Sequence, residues 1–91
     1  MPVFAGIKTT AETFAGAEQT LTIECALPNG YALQCATSHY FGQRLANIYH
    51  IQFQDPQQHQ VPAFTTSWGL STRLIGALVM THSDRQGLVL P

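Results

Sequence analysis

Residues 20–36, TLTIECALPNGYALQCA, decide the fold of this 91-residue chain. From Thr20 to Leu27 polar and apolar side chains alternate, which is typical of a β-strand with one buried face. The turn residues Pro28, Asn29 and Gly30 follow, and they suit the successive positions of a type I turn closed by a left-handed glycine. The stretch therefore predicts a β-hairpin with a three-residue loop.

The length of this loop decides which side chains share a face. Three loop residues place Leu27 opposite Tyr31 and Glu24 opposite Gln34, whereas a two-residue loop would mix the two faces. The predicted apolar face holds Leu21, Ile23, Cys25, Leu27, Tyr31, Leu33 and Cys35, and the predicted polar face holds Thr22, Glu24, Ala32, Gln34 and Ala36. Glu24 and Gln34 become neighbours on a polar surface of small residues, and such a surface can line a binding site.

The rest of the chain alternates between helix and strand patterns. Residues 1–18 are predicted to be an irregular lead-in with a short helix through Phe14. The further predictions are a helix over 39–49 capped by Thr37 and Ser38, short strands at 51–55 and 61–68, a helix over 72–82 capped by Ser71 or Thr72, and an extended end at 87–91. This order predicts a single α+β domain, with an antiparallel sheet and helices packed on one side.

The composition narrows the classes of function. Only 10% of the residues are charged and the net charge is −1, so the chain has no basic field for nucleic acid or a membrane surface. No apolar run approaches the roughly 20 residues of a transmembrane helix, and the N-terminus lacks the layout of a signal peptide. We therefore expect a cytoplasmic protein. The low charge also predicts that part of its surface is an interface within a larger protein.

Two segments, TSH at 37–39 and STR at 71–73, have the pattern of helix N-termini, which favour anions. The guanidinium of Arg73 adds a planar fork that can bind phosphate or stack on a base. The alternative is that the Ser and Thr residues are ordinary helix caps and that Arg73 pairs with an acid. His39 likewise has two interpretations, as a ligand contact or as a hydrogen-bonded core histidine.

Other chemistries find little support in the spacing of the residues. Cys25, Cys35, His39 and His50 match no standard zinc spacing, so we predict no protein-held metal site. Two cysteines fit reduced core thiols better than a disulfide scaffold. The chain has no nucleophile-elbow motif, no Walker-type phosphate loop and no GxGxxG. Hydrolase and dinucleotide-binding functions are therefore disfavoured.

Three stretches together resemble a known family in order and spacing. They are KTTAETFAGAEQTLTIEC at 8–25, ALQCATSHYFGQRLANIYHIQFQD at 32–55 and TTSWGLSTRLIGALVMTHSDRQGLVLP at 65–91. Together they resemble the C-terminal half of the catalytic domain of eukaryotic/archaeal-type prolyl-tRNA synthetase, a class II aminoacyl-tRNA synthetase. The segment around QCATSH also has a weaker likeness to threonyl-tRNA synthetase, but SWGLSTRLIG favours the prolyl family.

The resemblance implies a function and a role for each matching residue. The family activates proline with Mg-ATP to prolyl-adenylate and transfers the prolyl group to tRNA(Pro). Arg73 matches the catalytic arginine of class II motif 3, which stacks over adenine and reaches the terminal phosphate. The implied ATP-binding residues are Gln34, Thr37, Ser71 and Arg73, and the implied proline-binding residues are Phe14, His39, Trp68 and Gly69. Glu24, by its place on the polar face, is the candidate Mg²⁺ ligand.

The resemblance also implies which parts of the enzyme are missing from residues 1–91. Class II motif 1, which builds the family's homodimer interface, is absent, as are motif 2 with its α-phosphate arginine and the anticodon-binding domain. We therefore expect a partial catalytic domain that does not make prolyl-adenylate alone, and whose partner is the remainder of a synthetase chain. The alternative is a free-standing synthetase-like paralogue that binds nucleotide or prolyl groups, or another protein, without catalysis.

Overall fold

The structure is a computed structural model that describes Met1–Pro91. In chain order its elements are β1 (Val3–Ile7), β2 (Gln19–Ala26), β3 (Ala32–Gly42), α1 (Arg44–Tyr49), β4 (Gln52–Gln54), β5 (Gln60–Pro62), β6 (Thr65–Leu70), α2 (Arg73–His82), β7 (Ser83–Asp84) and β8 (Gly87–Leu88). Strands β1-β2-β3-β6 form one antiparallel sheet, and the pairs β4-β5 and β7-β8 form two small ones. The predicted α+β class with an antiparallel sheet is confirmed.

The hairpin between β2 and β3 has the predicted three-residue loop. The backbone N–H of Leu27 donates to the carbonyl of Tyr31 at 2.8 Å, and Gly30 N–H donates to Leu27 O at 3.0 Å. Gly30 has φ +86°, the left-handed conformation for which the turn needs a glycine. Glu24 consequently lies opposite Gln34, as the loop length predicts.

A β-bulge at Cys35 changes the register beyond that point. Glu24 pairs with Gln34, but the preceding residue Ile23 pairs with Ala36, so Cys35 is an extra residue on β3. Ala36 therefore shares a face with Ile23, and the prediction that Ala36 lies on the polar face is wrong. Thr37 takes the polar position instead. Alternation alone could not reveal this, because an extra residue inverts every side chain that follows it.

Cross-strand pairing defines the two faces of the sheet. The polar face contains the rows Gly6–Thr22–Thr37–Gly69, Thr20–His39–Ser67 and Phe4–Glu24–Gln34. The apolar face contains the rows Ile7–Leu21–Ser38–Trp68, Ala5–Ile23–Ala36–Leu70 and Val3–Cys25–Leu33. The two lists differ in chemistry because adjacent residues of one strand point to opposite faces.

Several element boundaries differ from the prediction. The helix predicted over 39–49 is wrong at its start, because β3 continues to Gly42 while paired with both β2 and β6, and α1 begins at Arg44. The lead-in predicted as irregular contains β1, which completes its hydrogen bonds by pairing with β2. The strand predicted at 61–68 divides at Ala63 and Phe64, because its two halves pair with different partners, β4 and β3.

The second predicted helix agrees within one residue with α2 (Arg73–His82). Both helices contact β3, and each buries one alanine completely, Ala46 in α1 and Ala77 in α2. Neither helix is long and apolar enough to cross a membrane.

The chain is elongated, and little of it is buried. Its extents are 62 × 27 × 18 Å, and its radius of gyration is 18.4 Å, against about 12 Å for a compact domain of this length. Only 9 of 91 residues are buried. An open apolar groove of about 540 Å³ runs over the apolar face, lined by Ile7, Leu21, Ile23, Trp68 and Leu70 among others.

This uncovered apolar face predicts self-association of the isolated chain, because water-exposed apolar surface of this kind is driven to bury itself. Leu21→Lys should raise the monomer fraction in sedimentation velocity, since it places a charge in the middle of the groove. Gln57→Lys adds the same charge at an exposed position between β4 and β5 and serves as the control. A wild-type chain that stays monomeric at all concentrations would contradict the prediction.

Candidate functional site

The floor of the candidate site is the row Gly6–Thr22–Thr37–Gly69 on the polar face. A Cβ atom added at Gly6 or Gly69 would meet no heavy atom within 4 Å, so both ends of the row are open. Thr22 in the middle is only 8% exposed, and its hydroxyl has no hydrogen-bond partner. The Thr22 hydroxyl is thus a buried polar group that the chain itself leaves without a partner.

His39 stands at one end of this floor and is held through both ring nitrogens. Nδ1 lies 3.0 Å from Thr20 Oγ1, and Nε2 lies 3.1 Å from Thr37 Oγ1. Thr20 Oγ1 also accepts the backbone N–H of Phe14 at 3.2 Å. The ring is therefore fixed by two threonines that flank it on neighbouring positions of the polar face.

These contacts select one tautomer of His39. Thr20 is 1% exposed, and its hydroxyl proton has no acceptor in the structure other than His39 Nδ1. Because a buried hydroxyl proton without a partner is costly, Thr20 donates to Nδ1 and the ring proton is on Nε2. Nε2–H then donates to Thr37 Oγ1, which leaves the Thr37 hydroxyl proton free to donate to a ligand.

Aromatic rings form a wall beside His39. The ring centroids of Phe14 and His39 are 4.8 Å apart, and Phe41 stands edge-on to Phe14 at 6.2 Å. Phe41 is buried, whereas Phe14 is 55% exposed. Phe14 thus presents an accessible apolar surface next to a polar ring, which suits a small ligand with both an aliphatic and a polar part.

Two cations converge on Gln34 at the other end of the polar face. Lys8 Nζ donates to the side-chain oxygen Oε1 of Gln34, across the width of β2. Arg73 Nη1 donates to the backbone carbonyl of the same residue at 3.4 Å. Gln34 is therefore held by its side chain and by its backbone, each time by a positive group.

Arg73 is exposed and makes no ion pair. The only side-chain contact of salt-bridge geometry lies elsewhere, between His59 Nδ1 and Asp55 Oδ2 at 3.6 Å on the β4-β5 hairpin. The alternative that Arg73 pairs with an acid is therefore not what the structure shows. The predicted cap at Ser71 is present in part, since the Ser71 hydroxyl accepts the N–H of Arg73 at 3.3 Å. Thr72, at the N-cap position, makes no side-chain capping bond.

Glu24 lies opposite Gln34 on the polar face and is half-buried. It is one carboxylate, and the chain contains no group of three or more His, Cys, Asp or Glu side chains that could enclose a metal ion. A single carboxylate does fit the usual manner in which Mg²⁺ binds with a nucleotide, since the phosphates and water supply the remaining oxygens.

The structure brings together most of the predicted site residues, but not all. Gln34, Thr37, His39 and Gly69 share the polar face, and Phe14 packs on His39. Trp68 does not join them, because it pairs with Ser38 on the apolar face, where its side chain is 79% exposed. Trp68 and Gly69 are consecutive in a strand, so they cannot present side chains to the same face.

Sequence reasoning missed three residues of this face: Lys8, Thr20 and Thr22. The alternation of Thr20, Thr22 and Glu24 already placed the two threonines on one face, but it gave no sign of the His39 contact. Lys8 lies outside the hairpin, and only the pairing of β1 with β2 places it on the sheet.

Cys35 is the bulged residue, Cys25 lies beside it on β2, and both are buried. Burial raises the pKa of the Cys35 thiol, and the neighbouring Cys25 raises it further, while the positive charge of Arg73 opposes the shift. A thiol with a raised pKa is a poor nucleophile at neutral pH. Cys35 is therefore a packing residue at the back of Gln34.

Comparisons with known proteins identify similar chains. Proline–tRNA ligase of Mycoplasma capricolum subsp. capricolum is 55% identical over 91 residues, which cover 100% of this chain and 19% of that protein. Proline–tRNA ligase of Flavobacterium psychrophilum is 53% identical over 91 residues and is covered to 18%. No protein-family model matches the chain.

A solved structure shows the same architecture. The crystal structure of prolyl-tRNA synthetase from Cryptosporidium parvum, complexed with L-proline and AMP, matches with a TM-score of 0.87 at 45% sequence identity. The match covers 99% of this chain and 20% of that one. The chain thus spans about one fifth of the length of the proteins that it matches.

The hydrogen bonds of His39 predict its tautomer. The ring should carry its proton on Nε2, and ¹⁵N NMR of labelled histidine should show a protonated Nε2 and an unprotonated Nδ1. Thr20→Val removes the donor to Nδ1 and should abolish this preference. Thr81→Val, which removes a hydroxyl bonded to the backbone of α2, is the control. An Nδ1-protonated ring in the wild type would refute the assignment.

The raised pKa of Cys35 predicts a change in stability at alkaline pH. The folded chain keeps the thiol protonated to higher pH than the unfolded chain, so this contribution is complete below the ordinary value of 9.0 and is lost as pH rises above it. In urea unfolding, Cys35→Ala should show a shallower decline of the unfolding free energy above that pH than wild type does. Identical slopes would contradict the assignment.

Proposed function

We propose, on the premise that the chain is homologous over all 91 residues to one segment of the proline–tRNA ligases, that its polar face is the motif 3 half of an ATP- and proline-binding site. The observation that carries the proposal is the convergence of Gln34, Thr37, His39 and Arg73 around this row, whose two glycine ends are open. Proline and AMP are named with the similar Cryptosporidium parvum structure, which supports the same two ligands here.

The nucleotide belongs at the Gln34 end of the floor. Arg73 offers a permanent positive charge and a planar face, which suit a phosphate and an adenine ring respectively. Its contact with the Gln34 carbonyl holds the guanidinium at the edge of β3 without neutralising it, since no carboxylate is bonded to it. Thr37 and Ser71 add hydroxyl groups on either side, and Glu24 is the carboxylate that would share Mg²⁺ with the phosphates.

Proline belongs at the His39 end. The pyrrolidine ring is aliphatic, and the exposed face of Phe14 beside His39 matches it in size and character. Gly69, whose missing side chain leaves the floor open, lies one strand away, opposite Thr37. Because the Thr37 oxygen accepts the His39 Nε2–H, the Thr37 hydroxyl proton is free to donate to a ligand. In the proposed complex it donates where the two ligands meet.

The reaction of the whole enzyme is part of this proposal. A synthetase with this segment joins the carboxylate of proline to the α-phosphate of ATP and releases pyrophosphate, and it then passes the prolyl group to tRNA(Pro) with release of AMP. Residues 1–91 contribute one arginine to the proposed site, and they do not include the α-phosphate arginine of motif 2. The absence of one group that stabilises transition-state charge usually lowers the rate by about 10²–10³. We therefore propose that the isolated chain binds ligand weakly and does not form the adenylate at a useful rate.

The proposal also concerns the apolar face, because its exposed side chains need another layer of protein to bury them. Its groove is lined by Leu21, Ile23 and Trp68, all exposed in the chain alone. We propose that the remainder of a synthetase chain packs there, and that the homodimer of the family forms through that remainder rather than through this segment.

Substitution of Arg73 tests the proposed function. In a prolyl-tRNA synthetase carrying these residues, Arg73→Ala should reduce proline-dependent ATP–pyrophosphate exchange by about 10²–10³, since it removes the charge at the terminal phosphate. Arg85→Ala, at the tip of the β7-β8 hairpin, is the matched control and should leave exchange unchanged. Unchanged exchange in Arg73→Ala would overturn the proposal.

Ligand binding by the chain is a test that bears on both hypotheses, the synthetase segment and the binding module without catalysis. A non-hydrolysable prolyl-adenylate analogue should shift the NMR signals of Gln34, Thr37, His39 and Arg73. Shifts confined to the chain termini would count against a site on the polar face. Shifts at the site together with normal exchange in the Arg73→Ala enzyme would show that Arg73 lies at a binding site but takes no part in catalysis.

A further inference from the structure

Lys8 is the only lysine of the chain, and its side chain has a specific partner. Its backbone N–H donates to Thr20 O at 2.9 Å, which continues the pairing of β1 with β2 and places Lys8 at the His39 end of the sheet. Its ammonium nevertheless bonds Gln34, which lies on β3 at the other end. The half-buried side chain therefore runs along the polar face rather than out into water.

The path of this contact crosses the floor of the site. Thr22 lies midway between Thr20 and Glu24, the residues of β2 that pair with the two ends of the contact. Gly6, the residue of β1 beside Thr22, has no side chain to obstruct the crossing. The low exposure of Thr22 agrees with a lysine stem lying above it.

The chemistry of the contact fixes the orientation of the Gln34 amide. An ammonium group has only donors, so its partner in a side-chain amide must be the oxygen and not the nitrogen. The amide plane then has its two N–H donors turned away from Lys8. Without Lys8 the amide can rotate by half a turn, and it would present an oxygen where it now presents donors.

The backbone of Gln34 is held independently. Arg73 bonds its carbonyl, and the bulge at Cys35 begins at the next residue. The side-chain amide is thus the one part of Gln34 whose direction depends on Lys8.

We propose that Lys8 is a positioning residue for nucleotide recognition: it holds the Gln34 amide so that both N–H donors face the acceptor atoms of the bound nucleotide. This inference rests on the proposed function, in which Gln34 contacts the nucleotide. Lys8 acts through Gln34, so its removal should matter only while Gln34 is present.

The first experiment tests the contact without reference to any activity. In the 91-residue chain, Lys8→Met should shift the ¹H and ¹⁵N signals of the Gln34 side-chain amide, since methionine keeps the stem and removes the donor. Arg85→Met removes a cation elsewhere and should leave those signals in place. Unchanged Gln34 signals in Lys8→Met would overturn the inference while leaving the proposed function intact.

The second experiment uses ATP–pyrophosphate exchange in a synthetase carrying this segment. Lys8→Met should raise the KM for ATP by about tenfold, the value of one lost hydrogen bond, with little change in kcat or in the KM for proline. Lys8→Arg keeps a donor-only cation and should retain most of the ATP affinity. A rise in both KM values, or a failure of arginine to rescue, would indicate a merely structural role and overturn the inference.

A double variant completes the test. Lys8→Met should have no further effect on the KM for ATP in a Gln34→Ala background, because the group that it positions is gone. Effects that add in the double variant would overturn the inference. If Gln34→Ala alone leaves the KM for ATP unchanged, the proposed role of Gln34 itself fails, and that outcome is distinct from the others.

Discussion

The arrangement of the site depends on one extra residue, the bulge at Cys35. Up to Gln34 the hairpin alternates as its sequence predicts. The bulge then inverts the alternation, so that Thr37 and His39 join Gln34 on the polar face while Ala36 and Ser38 turn to the other side. With a regular ladder the same strand would place Thr37 and His39 opposite Gln34, and no single ligand could touch all three. A bulge that redirects side chains beside a binding site is a recurrent device in sheets.

The two faces of the sheet differ in whether their side chains find partners within the chain. The polar face satisfies its side chains within the chain: Thr20 and Thr37 hold His39, while Lys8 and Arg73 hold Gln34. Three groups are left without partners on this face: the buried Thr22 hydroxyl and the outward donors of Gln34 and Thr37. Donors held in place before the ligand arrives cost no reorganisation on binding. On the apolar face, no part of the chain covers the groove, so the side chains that line it stay exposed.

This difference explains why a chain with an ordinary share of apolar residues buries so few of them. A four-stranded sheet with two short helices offers one side to ligands, and it needs a second layer on the other to form a core. The elongated shape and the exposed Leu21, Ile23 and Trp68 follow from the lack of that layer. Our proposal assigns both that layer and the other half of the site to the remainder of a synthetase chain.

The sequence by itself determined the hairpin, its loop, the placement of Glu24 beside Gln34 and the extent of the second helix, because these depend on contacts between residues close along the chain. It also carried the resemblance to prolyl-tRNA synthetases, which the comparisons confirm. Tertiary structure alone decided the bulge, the continuation of β3 where a helix was predicted, the pairing of β1, and the separation of Trp68 from His39. Each of these depends on which distant strand supplies hydrogen bonds to the backbone, and local periodicity does not contain that information. The contact between Lys8 and Gln34, 26 residues apart, is of the same kind.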